Sequence, residues 1–527
     1  MIVGVVVLVA LIGVVAHDLT QTRHAILRNF PILGHFRHLL EAIGPELRQY
    51  IVTSNDEERP FSRNQRRWVY ASAKQENNTF GFGSDNEMER TPGYLILEPA
   101  AFAADSPVAG SPAAGPTFDV PVGKVLGEAR GRAGAFRPPS FVNISGMSFG
   151  ALSGPAVEAM NRGALAAGCL HNTGEGGLAQ QHCHGAGLVF QIGTAYFGCR
   201  DARGAFSLEH LKETVARGPV RAIEIKLSQG AKPGLGGLVP AAKMTPEIAR
   251  IRGVEPWKDC HSPPHHSAFR DADGLLDFVE LIAQETGLPV GIKSAVGEKA
   301  FWTDLAELMA TTGRGVDHIT IDGGEGGTGA APLAFADHVA LPFKLAFARA
   351  YTAFARRGIQ DDVVWIGSAK LGFPDATIFA FALGCDMVNV GREAMMAVGC
   401  IQAQRCHTGR CPTGVATQNP RLTRGLVPDD KAPRVASYVR ALRGEVLALS
   451  RSLGRVHPAL IEPDQLRLLT DDFAGRPVSE VFGYVHKWRQ LDPERRAEIE
   501  LIARTAGALG EGPEAPAEDL LAEAVAG

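Results

Sequence analysis

The sequence has 527 residues, 45% of them hydrophobic and 21% charged, which is enough apolar material for a large packed core and excludes disorder over most of its length. The formal net charge is −4 and no long basic run occurs, which excludes nucleic acid as a general electrostatic partner. Three of the eight cysteines crowd between residues 400 and 411, a pattern of intracellular metal or redox chemistry rather than a disulfide frame.

The first 16 residues, "MIVGVVVLVALIGVVA", are uncharged and apolar. That is slightly short of the roughly 17–25 residues of a spanning helix. No Lys or Arg precedes the run, so the signal-peptide pattern is incomplete. Arg23, Arg28 and Arg37 follow it, and the positive-inside rule then puts the main body on the cytoplasmic face of the cell membrane. The expectation is a single N-terminal membrane anchor over 1–16, with a cleaved signal or a buried helix as alternatives. A helical and irregular lead-in follows over 17–140. Its helical spacing is broken at Pro31 and Pro45, and it becomes rich in Gly, Pro and Ala after residue 80.

From residue 141 short β-branched runs alternate with helical stretches. Candidate strands are "FVNISGMS" (141–148), "CLHNTG" (169–174), "LVFQIG" (188–193), "AIEIKLSQ" (222–229), "PVGIKSA" (289–295), "HITIDGG" (318–324), "VVWIGSAK" (363–370) and "MVNVGRE" (387–393). Eight β/α units with polar residues at the strand ends predict an α/β fold, a (β/α)8 TIM barrel over 141–420 with its site at the C-terminal face. A doubly wound open sheet is the rival, disfavoured because no G-x-G-x-x-G follows the first strand. The insert from Gly230 to about Arg270 is too long for a simple loop and predicts a lid or wall. A helical C-terminal extension is expected over 421–505, with a flexible acidic tail over 506–527.

Several constellations carry chemistry. Cys400, Cys406 and Cys411 are spaced C-x5-C-x4-C with Pro412 after the last. Three thiolates with Cys-Pro suggest a three-iron cluster; zinc with His407 as a fourth ligand, or plain buried thiols, are the alternatives. "HSPPHHS" (261–267) has unspecific spacing for a metal. Glycine-rich loops at three successive strand ends suit a single phosphate such as that of FMN: Gly323, Gly324, Gly327, Thr328 and Gly329, then Ser368 to Gly372, then Gly391 with Arg392. Lys226 and Lys293 stand near the ends of buried strands, where an ammonium must be paired or used. They either meet Glu224 or Glu298 or hold negative charge on the edge of a reduced flavin. Asn172, Gln229 and Lys232 lie on glycine-loosened backbone and are candidate substrate ligands. Glu175 and Lys232 are the candidate catalytic groups, with Glu175 either in proton transfer or simply a solvated carboxylate.

These runs, in this order, resemble the FMN-binding synthase domain of glutamate synthase over roughly 85–460. The match rests on "SGMSFGALS" (145–153), "NTGEGG" (172–177), "EIKLSQGAKPG" (224–234), "DGGEGGTGA" (322–330) and "CIQAQRCHTGRCPTGVATQ" (400–418). The resemblance implies FMN and a [3Fe-4S] cluster, with 2-oxoglutarate and ammonia or a small amine condensing to 2-iminoglutarate and being reduced to glutamate. It implies that Ser145, Gly146, Met147, Ser148, Gln191, Lys226, Lys293, the Gly323–Gly329 loop, Ser368 and Gly391–Arg392 line FMN. Gln229 and Lys232 would hold the carboxylates of 2-oxoglutarate, Glu175 would move protons, and Cys400, Cys406 and Cys411 would carry the cluster. Leu235 departs from the family's usual Glu. No amidotransferase domain or NAD(P) fingerprint is recognisable, so glutamine hydrolysis would need a separate amidotransferase. Electrons would come from a donor protein such as ferredoxin or a reductase subunit. The alternative keeps the cofactors: a membrane-associated FMN dehydrogenase for another 2-oxo or 2-amino acid.

Overall fold

β-Branched residues alternating with polar ones make strands that can bury one face against helices and turn the other into a barrel. All eight candidate runs do so. The computed structural model describes residues 2–21, 25–53, 56–105, 120–471 and 474–505; the expected acidic tail lies outside them. The strands are β1 (Val142–Ile144), β2 (His171–Asn172), β3 (Leu188–Ile192), β4 (Val220–Lys226), β5 (Val290–Ser294), β6 (His318–Asp322), β7 (Val364–Ser368) and β8 (Met387–Val390). They pair in parallel in chain order, and β8 closes on β1 through Val388 with Val142 and Val390 with Ile144. Most ladders stop short of the runs read from sequence. Ser145 to Ser148 and Leu227 to Gln229 leave the sheet and form loops at its C-terminal mouth.

Local signals set the helices. Ser153 accepts from Ala156 N at 3.3 Å and starts the helix Gly154–Ala167, which Gly168 ends at φ +60°. The 25-residue helix Pro428–Ser452 packs on it. A Cβ on Gly163 would stand 2.5 Å from Val435 Cβ, so glycine sets how closely these helices approach.

The insert after β4 is a structured wall. It holds a ribbon pairing Leu238–Val239 with Cys260–His261 and a helix, Pro246–Arg252, capped by Thr245. Thr194 Oγ1 donates to Pro263 O at 2.6 Å, and the Ser267 and Ala268 amides both donate to Tyr196 Oη at 3.0 Å. These bonds fix the wall to the loop after β3. Outside the barrel, Leu95–Leu97, Leu466–Leu469 and Gly475–Pro477 form an antiparallel sheet that the sequence reading did not foresee.

The chain divides into two compact units, Met1–Arg67 and Trp68–Gly527. In the first, the apolar helix is Ile2–Thr20, 19 residues at a mean hydropathy of 2.5. It is longer than the 16-residue run because His17 to Thr20 continue it. By length and composition it can cross a membrane, and a signal sequence passes the same test.

The barrel interior leaves no room at Gly291, where a Cβ would fall 2.3 Å from both the ring and the carbonyl oxygen of His318. Gly291→Ala is expected to lose about 1–3 kcal/mol from overpacking. A lowered urea midpoint checks it; an unchanged midpoint would contradict this packing.

Candidate active site

Alternation within β4 places its chemistry. Ile223 and Ile225 are fully buried on the helix side, while Glu224 and Lys226 face the barrel axis. Glu224 is 1% exposed. Its Oε1 accepts from Asn172 Nδ2 at 2.8 Å and Gln191 Nε2 at 2.7 Å, and its Oε2 accepts from Thr320 Oγ1 at 2.6 Å. Four strands therefore meet at one carboxylate. Burial pushes its pKa up, but Lys293, His318 and the hydrogen bonds from Thr320 and Gln191 outweigh this and hold it below its ordinary value. Lys293 is also nearly buried. Its closest anion is Asp322 Oδ2 at 3.7 Å, and among the described residues its Nζ makes no hydrogen bond.

Nearer the mouth, Lys226 Nζ donates to Glu175 Oε1 at 2.8 Å and to Gln229 Oε1 at 3.1 Å. Its partner is thus Glu175, from the loop after β2, rather than Glu224 or Glu298. Burial raises the Glu175 pKa, yet Lys226, then Lys232 and Arg252, bring it from 4.5 down to about 2. Burial and the like charge of Lys226 lower the pKa of Lys232, with Glu175 opposing them. Gln229 Nε2 donates to Gly327 O at 2.6 Å, which ties this triad to the glycine loop after β6.

The glycines mark close approaches. A Cβ on Gly146 would meet Asn172 Oδ1 at 2.7 Å and Gln191 Nε2 at 3.0 Å. Gly174, at φ +66°, leaves only 2.5 Å between a built Cβ and Ser148 N, which presses the Met147–Ser148 segment against the loop after β2. A Cβ on Gly391 would be 3.6 Å from Ser145 Cβ. Arg392 Nη2 donates to Glu325 O at 2.5 Å, and its side chain covers Gly327. Gly323 N donates to Ser368 O at 2.9 Å and Gly324 N to Leu341 O at 2.9 Å. Thr328 closes a turn with Ala330, and Gly329 faces open space. The loops after β1, β2, β4, β6, β7 and β8 thereby face one mouth.

The cysteines behave differently. Lys243, 5% exposed, donates from Nζ to Cys406 O at 2.8 Å and to Ala151 O at 3.3 Å. Burial and the nearby Cys411 push the Cys406 thiol up, while Lys243 opposes them. Among the described residues no group of three or more His, Cys, Asp or Glu is placed to hold a metal. Cys406 and Cys411 lie in each other's field, and Lys243 lies in the field of both.

Sequence reasoning missed Glu224 as an acceptor for three strands, and it missed Asp322, which accepts from Gly230 N at 2.8 Å. Glu224 sits two residues from Lys226 on the same strand face, and period-two counting from that lysine finds it, while Asp322 opens the run DGGEGGTGA. Lys243 had no signal, since its role depends on how the insert folds.

The conserved region of glutamate synthase matches residues 135–456. The chain belongs to the glutamate synthase family. The glutamate synthase large subunit-like protein YerD of Bacillus subtilis (strain 168) is 38% identical over 466 residues, covering 83% of this chain and 88% of that protein. The archaeal glutamate synthase (NADPH) of Methanocaldococcus jannaschii is 35% identical over 317 residues, which is 59% of each chain. Among solved structures, a mutant flavocytochrome b2 with benzoylformate covers 76% of this chain and 78% of its own at 12% identity and a TM-score of 0.42. Family membership makes this chain an oxidoreductase of the glutamate synthase type, and the polar mouth of its barrel is where such chemistry belongs.

Glu175 carries a linkage signature. A depressed carboxyl pKa adds stability that is fully present above about 4.5 and is lost as pH falls toward about 2. Glu175→Gln should flatten the pH dependence of the melting temperature within that window and leave its shape above pH 5 unchanged, as read by scanning fluorimetry.

Proposed function

We propose that this barrel binds FMN and reductively aminates 2-oxoglutarate to glutamate through 2-iminoglutarate. The Lys226–Glu175–Gln229 constellation beside Lys232 carries the reading. FMN fits the residues present. Lys293 is a nearly buried ammonium without a hydrogen bond among the described residues, and the pyrimidine edge of a flavin supplies the acceptor it lacks. Ser145 to Ser148, Gln191, Lys226 and Lys293 would hold the ring system. Ser368, the Gly323–Gly329 loop and Gly391–Arg392 would take the phosphate. Bound FMN would supply the hydride.

The chain's own groups do the rest. Lys232 carries no carboxylate partner at hydrogen-bond distance among the described residues, so its ammonium is available for a carboxylate of 2-oxoglutarate. Gln229, held by Lys226 and by Gly327 O, orients one wall of that pocket, and Asn172 keeps the floor in place through Glu224. Glu175 is an ionised acceptor at neutral pH. It can take a proton from ammonium so that ammonia attacks the 2-oxo carbon. Returned to the departing hydroxyl, that proton helps release water as the imine forms. Lys226 beside it favours the carboxylate, so Glu175 gives the proton up readily and returns to its anionic form once water has left.

The C-x5-C-x4-C run is read as a [3Fe-4S] ligand set on its spacing. Cys400, Cys406 and Cys411 would hold the cluster with one thiolate per iron, Cys406 and Cys411 lying in each other's field beside Lys243, and no step above runs through it. Electrons would come from a donor protein such as ferredoxin or a reductase subunit, and ammonia from solution or from a separate amidotransferase. We read Ile2–Thr20 as a membrane span that keeps the enzyme on the cytoplasmic face. That helix favours one second reading, an FMN dehydrogenase of another 2-oxo or 2-amino acid that feeds a membrane acceptor.

The test is anaerobic. Chemically reduced protein mixed with 2-oxoglutarate and ammonium should reoxidise its flavin and yield glutamate in equal amount. Reoxidation by a quinone analogue with no amino acid formed would favour the dehydrogenase. Glu175→Gln should lower kcat by about 10²–10⁴-fold. Lys232→Met should instead raise the KM for 2-oxoglutarate by about tenfold or more, as loss of a charged hydrogen bond does. Iron and flavin counts on the anaerobic protein, expected at about three irons and one FMN per chain, decide the cluster.

A further inference from the structure

The first unit contains an apolar surface that the barrel chemistry does not use. The helix Leu33–Leu47 carries Leu33, Phe36, Leu40, Ile43 and Leu47 at spacings of three and four, which makes one continuous face. All five are exposed, Leu33 at 74% and Phe36 at 62%. The chain continues as a π-helical turn, Arg48–Val52, with Ile51 and Val52 also exposed.

A polar lock joins this helix to Ile2–Thr20. Asp18, near the end of an otherwise exposed apolar helix, is 0% exposed. Its Oδ2 accepts from Ile32 N at 3.1 Å, and His35 Nε2 meets Oδ2 at 2.9 Å and Oδ1 at 3.0 Å. A carboxylate near the end of a spanning segment is costly unless it is shielded and paired. The Ile32 amide and His35 in the helix Leu33–Leu47 provide both, and so that helix begins at the level where the first leaves the apolar medium. Four arginines against two glutamates lie between residues 21 and 50, an excess that suits anionic headgroups.

We infer that Leu33–Leu47 lies in the plane of the lipid headgroup–acyl boundary, with its Leu33–Phe36–Leu40–Ile43–Leu47 face in the bilayer and the Asp18–His35 pair as the corner between the spanning and in-plane helices. This rests on Ile2–Thr20 being a span. The partner is a lipid surface because the first helix is apolar all round, with 6% of its span buried, so the medium that covers it continues at the lock.

The experiment uses the full chain in vesicles of phosphatidylcholine and phosphatidylglycerol, with benzoylphenylalanine at position 36 or 40 and, as a control, at the polar position 41. After irradiation, lipid adducts at 36 and 40 should exceed those at 41 by about tenfold, as expected for an interfacial helix with one buried face. Adducts equal at all three positions, or crosslinked chain pairs in place of lipid adducts, would overturn the inference. Flotation and alkaline extraction of the unmodified chain separate the two failures. A chain that floats and resists extraction while positions 36 and 40 stay unlabelled sinks the in-plane helix alone. A chain that does not float sinks the span and the inference together.

Discussion

The candidate site hangs on a buried negative charge inside the barrel. Glu224 accepts from residues on β2, β3 and β6 and lies in the field of Lys293 on β5. A lone carboxylate there would be strongly disfavoured; with three donors and a cation it becomes a constraint on four strands at once. Asn172 and Gln191 are oriented by it, and both press on Gly146 at the first strand end. The mouth above is shaped by this floor, because the side chains that face the ligand space are the other ends of those that satisfy Glu224.

Above the floor the charges alternate. Lys226, Lys232 and Arg252 surround Glu175, while Lys293, the register partner of Lys226 on the next strand, meets Asp322. Placing like charges close together is costly unless each has a partner or a task. Lys226 has its partner in Glu175. Lys232 and Lys293 are cations whose pairing within the described chain is incomplete.

The barrel was legible in the sequence because eight β-branched runs with polar ends leave few other folds. Their closure followed from count and order. Strand ends were less legible. Ser145 to Ser148 continue an apolar run yet leave the ladder, since the mouth demands backbone that can bend. Lysine partners were misjudged for a physical reason: Lys226 and Glu224 sit two apart on one face, but Glu175 arrives from another strand's loop, and no local pattern encodes that meeting. The sheet linking Leu95–Leu97 to Leu466–Leu469 was invisible because its two halves are remote in the chain. For the cysteines, spacing announced three ligands, but the contacts that shape their loop, from Lys243 to the Cys406 carbonyl and from Tyr70 to the Cys400 carbonyl, come from segments remote in the chain. Spacing reports chemistry and not conformation.

The pairing of Leu95 with Leu468 has a kinetic side. Loop-closure entropy must be met before such a contact gives anything back, so this sheet forms after the segments between its strands have condensed. The same holds within the barrel, where β1 waits for β8. While the chain is being made, β1 therefore presents an unsatisfied edge until residue 390 has emerged, and an open edge invites pairing with another nascent chain.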